Sequence, residues 1–231
     1  MNNFQLAMAL VLDPKAAIRE IEARPRFVFP LLITIFVTVA ASVWYFNIVD
    51  SDWLIDATIR SSPRGKNVSD EQMAQLTKIM SRNTLMISTL IGVPFIAVIM
   101  RLLEATWYLL AGKVTKVQRS FKQWFALATW SSLPGVLALL PAIPLLLTAK
   151  DPQIDSGALS PLSLNELFFH RAMGASGYSL FTNINLIQIF TVFLVILAIR
   201  MWSGRSWLFA VVYTLLPAAL IVGIWALVAF R

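Results

Sequence analysis

The apolar run at positions 84–112 is the feature that most constrains this chain. Its only charges are Arg101 and Glu104. About 20 apolar residues at 1.5 Å rise cross the ~30 Å hydrocarbon core of a bilayer. A surface helix of a soluble domain needs only one apolar stripe. The run therefore predicts a membrane-spanning helix. Four others resemble it in length and character, and together the spans fall at about 27–48, 85–112, 121–140, 180–201 and 207–230. The apolar residues come in blocks, not in alternation. The fold class expected is an all-α integral membrane protein, with five transmembrane helices (27–231) behind an N-terminal interfacial segment (1–26).

Composition supports this. Of 231 residues, 58% are hydrophobic and 13% charged, against about 25% charged in an average soluble domain. The net charge of +7 lies mostly in short segments beside apolar runs. There it sets topology and attracts anionic lipid, so no nucleic-acid partner is expected. With no cysteine in the chain, thiol chemistry and disulfides are excluded.

In the N-terminal segment, Asp13 is a good N-cap and Pro14 suits the first helical position. A short helix to Ala23 follows, with Ile18 and Ile21 as its apolar face, expected to lie on the membrane. No Lys or Arg precedes the apolar stretch 4–12, and Asp13-Pro14-Lys15 follows it. A cleavable signal peptide is therefore not expected. The polar excursion 50–82 is acidic at first (Asp50, Asp52, Asp56) and loop-like at Ser61-Ser62-Pro63-Arg64-Gly65. Ser69 with Gln72 then forms a capping box, whose helix is expected to run on towards the second span. In the later excursion, 150–177, residues 164–173 suit a short helix on the membrane surface.

The densest positive cluster is the turn carrying Lys113, Lys116, Arg119 and Lys122. Short loops weigh most in the positive-inside rule. The N-terminus, this turn and the last turn (Arg200 to Arg205) are therefore expected in the cytoplasm. Both excursions and the C-terminus are expected outside.

Arg101 and Glu104 are three apart and share a helix face. A lone charge at mid-bilayer costs from about 2.5 to more than 10 kcal/mol, so the pair should face protein and recruit polar partners. Asn185, Gln188, Ser131 and Ser132 are the nearest candidates, which makes Arg101, Glu104, Asn185 and Gln188 an expected intramembrane cluster. A structural clasp, an ion or substrate path and a lipid-headgroup contact all remain open for it. Pro94, Pro134 and Pro217 lie in three different spans, without an inverted repeat to suggest a transporter. His170 is the single histidine and falls in an excursion. Ser131 and Ser132 thus lack a triad partner, no catalytic or metal site is expected, and no cofactor either.

Several stretches resemble the Yip family, small five-span proteins named for interaction with Rab-type GTPases, and specifically its bacterial branch. They are Leu12-Asp13-Pro14-Lys15-Ala16-Ala17, then Arg24-Pro25 before the first span, Gly112-Lys113-Val114 leading to Phe121-Lys122-Gln123, Ala126-Leu127-Ala128-Thr129-Trp130-Ser131-Ser132-Leu133-Pro134, and Leu215-Leu216-Pro217. Thr129-Trp130 stands where the family pattern has Gly-Tyr. The resemblance implies a five-helix bundle with a cytoplasmic N-terminus, in the bacterial inner membrane. It also implies a non-enzymatic role as a membrane organiser or adaptor. The partners to expect are membrane lipids, a second copy of the chain or another membrane protein, with the basic turn as the contact. The alternative is a small transporter or channel that uses Arg101 and Glu104, working as an oligomer because five spans enclose little space.

Overall fold

In a computed structural model, residues 1–62 and 68–229 are described. The Pro63-Arg64-Gly65 part of the loop reading, and Phe230 at the end of the fifth span, lie outside them. The elements are α1 (Asn3–Leu12), α2 (Pro14–Ala23), α3 (Val28–Ile48), α4 (Ser51–Ser61), α5 (Asp70–Ile79), α6 (Arg82–Thr115), α7 (Phe121–Ser132), α8 (Ala142–Thr148), α9 (Tyr178–Asn183), α10 (Leu186–Ser203) and α11 (Trp207–Ala229). Among the described residues, five helical stretches are long and apolar enough to cross a membrane: Val28–Ile48, Arg82–Thr115, Phe121–Thr148, Leu186–Ser203 and Trp207–Leu227. The protein is a multi-span helical membrane protein. It divides into two compact units. One comprises Met1–Phe36, Pro94–Val136 and Ile187–Gly223; the other comprises Val37–Val93, Leu137–Leu186 and Ile224–Arg231.

The first unit is built around α7. All residues from Trp124 to Ser131 are buried, so every face of this helix is covered. Ala17, Ile18 and Ile21 of α2, Ala105 and Tyr108 of α6, Leu194 and Ala198 of α10, and Ala210 and Tyr213 of α11 share its apolar cluster. Trp124 lies 5.0 Å from Trp202 and 5.8 Å from Tyr108, ring centre to ring centre. Where the turn after α6 folds back, Gly112 leaves no room for a side chain. A Cβ there would stand 2.6 Å from the Val117 carbonyl oxygen.

Asp13 serves two helices. Its backbone N–H closes α1 on Ala9 O at 2.9 Å, while its carboxylate accepts from Ala16 N at 3.1 Å to open α2. The apolar face of α2 then meets protein, where the sequence reading pointed it at the membrane. Ile18 and Ile21 are 1% and 0% exposed. Three bonds hold the segment there. Gln123 Nε2 donates to Glu22 O (2.9 Å), Trp130 Nε1 donates to Arg26 O (2.6 Å), and Arg119 pairs with Glu22 (2.6 Å).

In the second unit the two polar excursions are tied together at the end of the first span. Tyr45 donates to Ile154 O at 2.7 Å, and Asp50 N donates to Pro152 O at 2.8 Å. Arg82 Nε donates to Ser51 Oγ at 2.8 Å. The Tyr178 hydroxyl donates to Asp155 at 2.9 Å. Burial, reinforced by that carboxylate, pushes the Tyr178 phenol up to about 12.

Four boundaries differ from the sequence expectation. The Ser69–Gln72 box does open α5, but the helix ends at Ile79 with Met80 as its cap, and α6 restarts behind the Ser81 hydroxyl, which accepts from Thr84 N at 3.4 Å. The third span is α-helical only to Ser132 and tightens to a 3₁₀ stretch over Leu133–Leu139, because Pro134 has no N–H to continue the ladder. The fourth span begins at Leu186, not near 180. Ile184 is extended, and its carbonyl accepts from Leu164 N at 2.7 Å in a short pairing of Ser163 with Asn185. Residues 164–173 form a single π-helical turn, Asn165–Phe169, closed by His170 in the left-handed region. The Asn165 side chain grips the Arg171 backbone on both sides of its Cα, accepting from its N–H and donating to its carbonyl at 3.1 Å each.

Candidate functional site

Along α6 the buried positions are Ala105, Tyr108 and Gly112, spaced three and four apart as one helical stripe. Arg101 lies one turn before this stripe and Glu104 beside it. The structure brings the two together, with Arg101 Nη1 at 2.7 Å from Glu104 Oε2 and side chains 27% and 25% exposed. Arg101 Nη1 also donates to Ala128 O on α7 at 3.2 Å. The other oxygen of Glu104 accepts from the Tyr108 hydroxyl at 2.8 Å.

The chain of bonds continues to α11. The Tyr213 hydroxyl donates to Tyr108 O, and Trp107 Nε1 donates to Tyr213 O at 3.2 Å. Three spans are thereby stitched by one polar network around an ion pair. Tyr213 and the Ala128 carbonyl were invisible as partners in the sequence, because a backbone acceptor has no residue signature. Tyr108 did carry one, four residues after Glu104 on the same face.

Asn185 and Gln188 sit at the head of α10. Asn185 pairs with Ser163 as an isolated bridge, and Gln188 O accepts from Thr191 Oγ1 at 2.9 Å. Ser131 and Ser132 turn their hydroxyls onto their own helix, to Ala128 O at 3.3 Å and Thr129 O at 2.8 Å. Ala128 O thus serves both Ser131 and Arg101. A cavity of about 340 Å³ in the second unit is lined by Asp50, Ser51, Asp52, Thr77, Lys78, Ser81 and Arg82, and none of the four cluster residues borders it.

The basic turn separates into two kinds of residue. Arg119 is used internally. Besides Glu22 it reaches Trp202, with its guanidinium 5.5 Å from the ring centre and a bond to Trp202 O at 3.4 Å. Lys113, Lys116 and Lys122 remain exposed. Lys116 adopts a left-handed backbone, φ 62°, as the chain reverses. Ser120 then opens α7 with a capping box closed by Gln123. Arg205, from the last turn, donates to Thr115 O at 2.7 Å, placing a cation at the negative end of α6. Contacts therefore join the N-terminal segment, the basic turn and the last turn.

Five apolar spans, a central buried helix and a polar network between spans define a helical multi-pass membrane protein. The model of the Yip1 domain matches residues 8–230, and the chain belongs to that family. The comparisons with curated proteins and with solved structures returned no match.

Proposed function

We propose that this protein is a non-enzymatic organiser or adaptor of the bacterial inner membrane, acting through helix packing and through lipid or protein contacts at its basic face. The observation that carries this is the engagement of the Arg101–Glu104 pair. Its charges face each other, the Ala128 carbonyl and the Tyr108 hydroxyl, which is how a clasp between spans is made. Asn185 and Gln188 are proposed as lesser polar contacts at the head of α10. The Ser131 and Ser132 hydroxyls, bonded to their own helix, offer no free nucleophile in support of catalysis.

The N-terminus is assigned to the cytoplasm and the C-terminus to the outside. Supporting this, the N-terminal segment is bonded to the basic turn and the last turn to the end of α6 where that turn begins (Arg119 to Glu22, Arg205 to Thr115), and short positive segments stay cytoplasmic. Lys113, Lys116 and Lys122 are the residues proposed to meet anionic lipid or a partner, each worth about 1 kcal/mol at a charged surface.

Reconstitution in liposomes tests the clasp. The expected result is no ion or solute flux for the wild type above that of empty vesicles. Flux that Glu104→Gln abolishes while the protein stays folded would establish transport and end the organiser reading.

A further inference from the structure

The ten residues of α1 carry no charge and are apolar on two opposite faces. Leu6 and Leu10 are buried in the protein. On the other side Phe4, Met8 and Leu12 are 71%, 62% and 75% exposed, with Val11 beside them. Positions 4, 8 and 11 follow the helical repeat, so they form one continuous stripe. A helix apolar all round is normally enclosed; α1 is enclosed on one side only.

What covers the other side can be read from its continuation. The Phe4 ring packs edge-on against Phe29 at 5.3 Å, in the first turn of α3. The outward residues of α3 on either side of it, Val28, Leu32 and Phe36, are themselves exposed and belong to a span, so their surroundings are acyl chains. Through the Phe4–Phe29 contact the stripe on α1 lies beside the start of that span. Just after it come Lys15 and Arg19 on the open side of α2, at a place where lipid phosphates would meet them.

We infer that α1 is inserted into one leaflet, with Phe4, Met8, Val11 and Leu12 in contact with acyl chains, while α2 is held by the protein and presents Lys15 and Arg19 to the headgroups. The membrane-contacting part of the N-terminal segment is then α1, not the Ile18–Ile21 face. The inference needs only that the chain spans a membrane, so it stands or falls separately from the organiser reading.

The absence of cysteine makes the test clean. Single variants Met8→Cys, Val11→Cys and Lys15→Cys are labelled with a small fluorophore. They are then reconstituted in phosphatidylcholine–phosphatidylglycerol vesicles, and variants that melt with the wild type are compared. Nitroxide groups on the lipid acyl chains should quench the labels at 8 and 11 several-fold more than the label at 15. Aqueous iodide should show the reverse order. Equal iodide access at 8 and 15 would overturn the inference. So would labels at 8 and 11 shielded from both quenchers, with cysteines that cross-link between copies, since a second copy of the chain would then cover the stripe.

Discussion

At the scale of single residues, the Arg101–Glu104 pair sets the sharpest expectation. Removing one partner leaves a charge in a span. For a fully buried pair this costs about 3–5 kcal/mol. The quarter of each side chain left exposed lies within a span and not in bulk water, so the full cost of about 3–5 kcal/mol is expected for Glu104→Gln or Arg101→Gln. The double variant Arg101→Met/Glu104→Leu should lose less than either single one, because no unpaired charge remains. Thermal melts of the four proteins in one detergent decide this, and additive losses would show that the pair is not coupled. Gly112 makes a second case. Gly112→Ala forces a methyl onto the Val117 carbonyl and should lower stability by about 1–3 kcal/mol in the same melts. A third concerns pH. The unfolded Tyr178 phenol ionises near 10.0, while the folded one holds its proton to about 12. Stability from this group is whole below pH 10 and declines as pH rises through that window, since only the unfolded chain releases the proton there. Tyr178→Phe should flatten the alkaline decline relative to the wild type; identical slopes would exclude the contribution.

At the scale of elements, α2 and α7 act as one piece. Ile18 and Ile21 have no solvent-facing role, and truncating either to Ala should cost about 2–5 kcal/mol. The same change should raise hydrogen exchange across residues 14–23, where Lys15→Ala would leave it unaltered. This coupling was only half legible beforehand. Asp13, Pro14 and the Ser69–Gln72 box of α5 are local chemistry, and they appear in the sequence where the helices begin. Which surface Ile18 and Ile21 meet is not local. A narrow apolar face suits a membrane or another helix equally, and Gln123 and Trp130, far along the chain, make the choice. The start of the fourth span was misplaced for a similar reason. Residues 178–183 are apolar enough to continue it, yet the Leu164 amide captures the Ile184 carbonyl and the helix has to restart.

At the scale of the whole molecule, the expected arrangement is N-terminus in, C-terminus out. A C-terminal alkaline phosphatase fusion should be active, and a C-terminal green fluorescent reporter dark. The opposite pattern would overturn the five-span orientation. Replacing Lys113, Lys116 and Lys122 together by Gln should weaken the response to anionic lipid while leaving thermal stability nearly unchanged, because these side chains are exposed. Arg119→Gln should do the reverse, since it breaks the contacts to Glu22 and Trp202.

The helical class, the number of spans and the family were all present in the sequence. Each depends on quantities that add up along a local stretch: transfer of apolar side chains, charge density and capping. The tertiary structure decided that α7 is the enclosed centre of its unit. It also decided that the Arg101–Glu104 pair closes on Tyr108 and a backbone carbonyl, and that α1 is left with an open apolar side. Those outcomes turn on which surfaces meet across a hundred residues of chain, where backbone groups and packed rings carry no signature of their own.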